Sequence, residues 1–153
     1  MPEPVAANLT EHCDRGVITW TLDAPARKNA VSPDALRYIQ RRCAELSGAV
    51  VVLRGAGSES FCAGFDLAAL GEAPTPATGE QDLPDAPLIA ATRAMRDADA
   101  TFIAAIEGYA IGAGVELACA CDLRLAKQGA WFQVPAARLG VVYHAEGLAR
   151  IRN

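Results

Sequence analysis

No surplus of positive charge marks this chain: 14 lysines and arginines stand against 18 acids, for a formal net charge of −4. A nucleic-acid footprint needs a basic patch, so the composition argues against that class of partner. Apolar runs are short as well; none approaches the ~20 residues that cross a bilayer, and no membrane partner is expected. The start, Met1-Pro2-Glu3-Pro4-Val5, has neither the basic-then-apolar form of a secretory signal nor the Arg-rich form of a transit peptide, which makes a cytoplasmic protein the default. Cysteine is present but without a pattern. The five cysteines are odd in number, and Cys119-Ala120-Cys121 has one intervening residue, not a zinc-knuckle spacing. No metal site is expected, and buried free thiols in a reducing compartment fit best. Lysine is scarce, Lys28 being one of two, and the preference for Arg with the abundance of Ala points to a GC-rich bacterial genome.

What the chain does have is apolar mass. Hydrophobic residues make up 52% of its 153 positions, enough for one ordinary domain with a substantial core. The first twenty-two residues read as an edge, a polar lead followed by a strand at Val17-Ile18-Thr19-Trp20-Thr21-Leu22. Ser32-Pro33 supplies an N-cap and a first-turn proline. Leu36, Ile39, Cys43 and Leu46 then recur at helical spacing, Gly48 is expected to end that helix, and a Val-rich strand follows over 49–54. The alternation recurs around Ala91–Asp97, Thr101–Ile106, a helix carrying Glu116, and Leu123–Leu125, so the fold class is α/β. Between Gly71 and Pro87 the composition shifts to Pro, Gly, Thr, Glu and Asp, which cannot bury enough apolar surface to order itself. Residues 72–87 are expected to form a flexible loop.

The most informative segment is Gly108-Tyr109-Ala110-Ile111-Gly112-Ala113-Gly114-Val115-Glu116-Leu117-Ala118, a glycine turn between a strand and an apolar helix. Such a turn leaves free backbone N–H groups at a helix N-terminus. Glu116 follows in the first helical turn, and oxyanion donors beside a carboxylate are the parts needed for chemistry next to a carbonyl. Taken alone, the segment reads equally as a small-residue turn with a dipole-favoured Glu. A second segment, Gly57-Ser58-Glu59-Ser60-Phe61-Cys62-Ala63-Gly64-Phe65-Asp66-Leu67, also follows a strand. Further pieces are Pro25-Ala26-Arg27-Lys28-Asn29-Ala30-Val31, Cys121-Asp122-Leu123-Arg124, and Trp131-Phe132-Gln133-Val134-Pro135 through Leu139-Gly140.

In this order and separation, the segments resemble the enoyl-CoA hydratase/isomerase (crotonase) family from about Val17 to the last residues. The resemblance implies a ββα spiral of the ClpP/crotonase type, incomplete at its C-terminal end. It implies that the backbone N–H groups of Phe65 and Ala113 bind the thioester oxygen of an acyl-CoA. Arg27, Lys28 and Ala30, with Ala63, Asp66 and Leu67, match where the family holds CoA, although a solvated surface cation is the competing reading of Lys28. The loop over 72–87 would then be a lid on the acyl pocket; a plain linker is the alternative. No cofactor is expected beyond the CoA that the substrate carries.

The pattern also departs from the family. Of the two glutamates that hold water in hydratases of this type, the first falls on Glu116 and the second position is Ala136, which cannot move a proton. Tyr143, His144 and Glu146 lie in the segment that runs past the site in family members. His144 is either a proton shuttle or a loop histidine, and Glu146 fits a helix N-terminal acid. The expected enzyme is therefore a one-carboxylate hydratase of a 2-enoyl-CoA, or else an isomerase, with Glu116 as acid and base. The alternative is a non-catalytic acyl-CoA binder or an inactive fragment. Gly112-Ala113-Gly114 lacks the third glycine of a dinucleotide fingerprint. Family members continue past this point and add C-terminal helices that build a homotrimer or a dimer of trimers; this chain is expected to be the N-terminal part of the spiral, over 1–153, without that region.

Overall fold

The computed structural model describes residues 1–66, 85–140 and 144–152. Leu67, Tyr143 and all but the end of the expected loop 72–87 lie outside the described residues. The chain opens with two strands, β1 (Glu3–Ala6) and β2 (Leu9–Asp14), where the sequence suggested only a polar lead. What makes them strands is turn chemistry. Asn8 (φ 65°) closes the first hairpin, and Arg15 (φ 50°) with Gly16 (φ 80°) closes the second, the left-handed pair that matches the twist of flanking strands. β3 (Val17–Leu22) pairs antiparallel with β2 along its whole length and buries Ile18, Trp20 and Leu22 in alternation.

From β3 onward every pairing in the main sheet is parallel, so helical crossovers must return the chain. The first is α1 (Pro33–Cys43), capped by the Ser32 hydroxyl, which accepts the Ala35 N–H at 3.1 Å. Leu36, Ile39 and Cys43 form its buried face, as the spacing predicts. The helix ends at Cys43, not at Gly48. Gly48 (φ 58°) instead sits at the irregular start of β4 (Ser47–Gly55), where the register against its neighbour shifts between Ser47 and Ala49.

A repeating unit then appears. β4 is followed by β5 (Ser60–Cys62) and α2 (Ala86–Asp97); β6 (Asp99–Ile106) by β7 (Tyr109–Ile111) and α3 (Ala113–Ala120); β8 (Leu123–Ala126) by β9 (Trp131–Gln133) and α4 (Ala145–Arg152). The long strands join a six-stranded sheet in the order β1-β2-β3-β4-β6-β8, and the short ones form a second sheet, β5-β7-β9. This is the expected ββα spiral. Its core lies between the large sheet and the helices. There Trp20 and Phe102, both fully buried, meet with ring centroids 5.9 Å apart, an arrangement within the favourable range for aromatic pairs. The last strands of both sheets are bare: Leu123, Leu125, Trp131 and Phe132 are exposed.

Candidate active site

Two backbone close approaches build the site. A Cβ on Gly114 would lie 2.3 Å from the Cys62 carbonyl oxygen, and one on Gly64 (φ 101°) would lie 3.3 Å from the Ile111 carbonyl oxygen. Only glycine lets the start of α3 settle this tightly on the end of β5. The turn at Gly108 (φ 68°) is equally intolerant, because a Cβ there would meet the Glu59 carbonyl oxygen at 1.7 Å. The segments bearing Phe65 and Ala113 are thereby brought side by side.

The hydrogen bonding leaves a donor on each. Val31 donates to the Gly64 carbonyl at 2.8 Å and Asp66 to the Val31 carbonyl at 2.9 Å, which uses the groups on either side of the Phe65 N–H. On the other segment Gly112 donates to the Gln133 carbonyl at 2.8 Å, while Val115 and Glu116 donate back to the Gly112 carbonyl. Among the described residues no acceptor meets the N–H of Phe65 or of Ala113.

Glu116 lies one helical turn further on and is only 1% exposed. The carboxylate is not bare. His144 Nε2 stands 3.1 Å from Oε1 and 3.0 Å from Oε2, and the Arg150 guanidinium donates to Oε2 at 3.2 Å. Both partners come from the α4 end of the chain. Their side chains are themselves 16% and 10% exposed. α4 is pinned in turn by an ion pair between Glu146 and Arg93 of α2. Glu146 thus serves as a first-turn acid of α4, as the sequence suggested. Ala136 opens a short 3-10 turn over Ala136–Leu139 and brings no ionisable group.

The residues matched to a CoA site divide by what their side chains already hold. Asp66 is buried, with its carboxylate bound by Arg27 at 2.5 Å and by the Asn8 amide at 3.2 Å. The Arg27 side chain is half-exposed, and its other terminal nitrogen donates to the Asn8 side-chain oxygen at 3.4 Å. Lys28 pairs with Glu59 at 3.1 Å and lies 4.9 Å over the Tyr109 ring. Ala30 is buried and Ala63 half-buried, its N–H donating to the Lys28 carbonyl at 3.0 Å. Asn29, which the sequence did not single out, organises this corner. Its buried amide donates to the Ser60 and Ala56 carbonyls at 2.7 and 2.9 Å and accepts the Ala24 N–H at 3.1 Å. The other residue missed was Arg150. Its only sequence signal is a cation in the last turn of an amphipathic helix, which ordinarily means a solvated side chain.

The family model for enoyl-CoA hydratase/isomerase matches residues 12–153. The chain belongs to that family. A Bacillus subtilis protein named as an enoyl-CoA hydratase/isomerase is 38% identical over 136 residues, covering 86% of this chain and 51% of its own length. An Arabidopsis thaliana protein named as mitochondrial enoyl-CoA hydratase 2 is 34% identical over 154 residues, covering 98% and 50%. Among solved structures, an enoyl-CoA hydratase/carnithine racemase from Magnetospirillum magneticum superposes with a TM-score of 0.84 at 31% identity, covering 99% of this chain and 57% of that one. A Thermobifida fusca protein named as an enoyl-CoA hydratase, solved in complex with CoA, gives 0.80 at 34% identity, covering 95% and 59%. The chain spans about half the length of the curated relatives it matches. The ββα units stack in order, and the two glycine turns fall at equivalent places in consecutive units, Gly64 after the short strand β5 and Gly112 after the short strand β7.

Proposed function

We propose that this member of the enoyl-CoA hydratase/isomerase family hydrates a 2-enoyl-CoA, with the Phe65 and Ala113 N–H groups as an oxyanion hole and Glu116 as the single acid and base. The observation that carries this reading is the pair of unsatisfied N–H groups on adjacent glycine turns, with a buried carboxylate one helical turn away. Donors fixed before the reaction stabilise charge without reorganising. Glu116 takes a proton from water as the water oxygen bonds to the β-carbon. The electron pair of the double bond shifts onto the thioester oxygen, where the two N–H groups hold the enolate. The enolate then collapses, taking the proton back from Glu116 at the α-carbon. Water is added across the double bond and Glu116 ends as it began, so one carboxylate suffices where Ala136 replaces a second. Arg27 and Lys28 line the turn that would receive the CoA phosphates.

The test is Glu116→Gln in the full chain, assayed by loss of the enoyl thioester's ultraviolet absorbance and by binding of a saturated acyl-CoA. Turnover should vanish while binding persists. Retained turnover would sink the role given to Glu116. The engagement of both Glu116 oxygens by α4 favours a second reading, a non-catalytic acyl-CoA binder, which predicts binding with no turnover in the unsubstituted chain.

A further inference from the structure

Two of the hydrogen bonds at the His144 ring make opposite demands. The Gly147 N–H donates to its Nδ1 at 3.1 Å, so His144 caps α4 from the position where Ser, Asn or Asp commonly stands. A ring nitrogen that accepts carries no proton, which puts the ring proton on Nε2. Nε2 is the atom that lies between the two Glu116 oxygens. Protonating the ring further would set an Nδ1–H against the Gly147 N–H, donor facing donor. The other group on the carboxylate, Arg150, keeps its proton throughout. Its second terminal nitrogen is buried without a hydrogen-bond partner and lies 3.7 Å from Glu146, the residue that Arg93 anchors. A continuous chain of partners, Arg93, Glu146, Arg150, Glu116 and His144, therefore ties α2 and α4 to the carboxylate of α3.

We infer that His144 and Arg150 are positioning residues: two fixed donors, one the cap of α4 and one in its last turn, that aim the Glu116 carboxylate, with the His144 ring proton held on Nε2 and not relayed in the reaction. The inference rests on Glu116 being the proton carrier of the reaction. It turns the vacancy at Ala136 into a consistent design, since a site with one acid and base needs that group held firmly rather than assisted. Two donors from one docked helix restrain a side chain that otherwise has three freely rotating bonds.

Two variants separate capping from positioning. In His144→Asn the side-chain oxygen can still cap Gly147, but no N–H reaches Glu116. In His144→Gln the amide nitrogen reaches the place of Nε2, while the cap is lost. Positioning predicts that His144→Gln keeps kcat within a few-fold and His144→Asn loses about 10²-fold, the scale of a misplaced reacting group, with KM little changed in either. Equal loss in both would mean that the imidazole carries protons and would overturn the inference. An activity-independent readout is the ¹⁵N–¹H correlation of the imidazole rings in the intact chain, which has only two histidines. A singly protonated His144 ring with its proton on Nε2, shifted by Glu116→Gln and by Arg150→Met, is expected near neutral pH. A proton on Nδ1, or a doubly protonated ring, would overturn it. If the unsubstituted chain binds acyl-CoA without hydrating it, the hydratase reading fails, and the ring spectrum alone decides the geometry of the clamp.

Discussion

Replacing Gly114 by Ala adds one methyl group at the start of α3, and the structure dictates where that carbon goes. It would sit 2.3 Å from the Cys62 carbonyl oxygen and 2.9 Å from the Cys62 Cβ, inside the 3.0 Å that real Cβ atoms keep. Ordinary contact begins near 3.4 Å, so α3 must withdraw from β5 by about 1 Å. Two opposing energies then compete. Alanine favours a helix over glycine by up to about 1 kcal/mol, less near a helix start, where the helix has not yet closed its hydrogen bonds. Overpacking costs about 1–3 kcal/mol, and here the obstacle is backbone, which cannot rotate aside. The clash should win, leaving the variant about 1–2 kcal/mol less stable.

The effect on activity should be larger in proportion. Withdrawing α3 moves the Ala113 N–H away from the Phe65 N–H, and about 1 Å of misplacement costs on the order of 10²-fold in rate, approaching the ~2.7–4 kcal/mol of a lost oxyanion donor. Gly112→Ala is the control. Gly112 has φ 53° and ψ −115°, outside the left-handed helical well, and nothing within 4 Å of an added Cβ, so its cost is conformational alone, about 1–3 kcal/mol. Urea melts followed by far-ultraviolet circular dichroism give the stabilities, and enoyl-CoA hydration gives the rates. The two variants should lose similar stability, with the larger rate loss in Gly114→Ala. A Gly114→Ala chain as stable and as active as the original would refute the claim that this close approach sets the site.

Two further outcomes follow from partly and fully buried ionisable groups. Burial alone would push the Glu11 carboxyl up, but hydrogen bonds from Trp20 at 2.7 Å, Tyr38 at 2.9 Å and Arg42, together with the Arg42 charge, hold it below its ordinary value of 4.5. A lowered folded-state value means stability that is complete above the unfolded carboxylate value and lost as pH falls through the folded one. Glu11→Gln should therefore cost about 1.5–3 kcal/mol near neutral pH, and its deficit should shrink as acid protonates the original carboxylate; a deficit constant with pH would refute the assignment. Burial also pushes the thiols of Cys43, Cys62 and Cys121 up to about 12, 11 and 12, while Cys13 is exposed. Because the thiolate is the reactive form, iodoacetamide should label Cys13 first, half-buried Cys119 more slowly, and the other three only on unfolding, as read by peptide mass spectrometry.

The parts of this molecule that were legible in its sequence are those whose cause is local. Val17–Leu22 alternates because one face is buried, and the face of α1 follows from the spacing of Leu36, Ile39 and Cys43. The glycine turns at Gly64 and Gly112 announce themselves because few other residues accept their backbone angles. The misses have the same logic in reverse. β1 and β2 are short and bury only Leu9 fully, and only the left-handed pair Arg15-Gly16 marked the hairpin. Gly48 looked like a helix stop because glycine favours that place, but Ala44 closes the helix and Gly48 serves a strand irregularity.

The surroundings of Glu116 were only partly legible: the family resemblance marked His144 as a candidate near the site, but neither its contact nor Arg150 could be read from the pattern. A local pattern shows that α4 has two faces, but not which face meets α3. His144 and Arg150 lie 28 and 34 residues from the carboxylate they touch, and only the docking of α4 makes one a hydrogen-bond donor to Glu116 and the other its ion-pair partner. That docking depends on Arg93 and Glu146, two residues that a sequence pattern reads as solvated charge on two helices. Removing the anchor should therefore weaken the clamp without touching it. Arg93→Met leaves every atom on the Glu116 carboxylate in place, and its ion pair is half-exposed, so the stability loss should be no more than about 1 kcal/mol. If α4 is what aims Glu116, hydration should fall by more than that loss of stability explains.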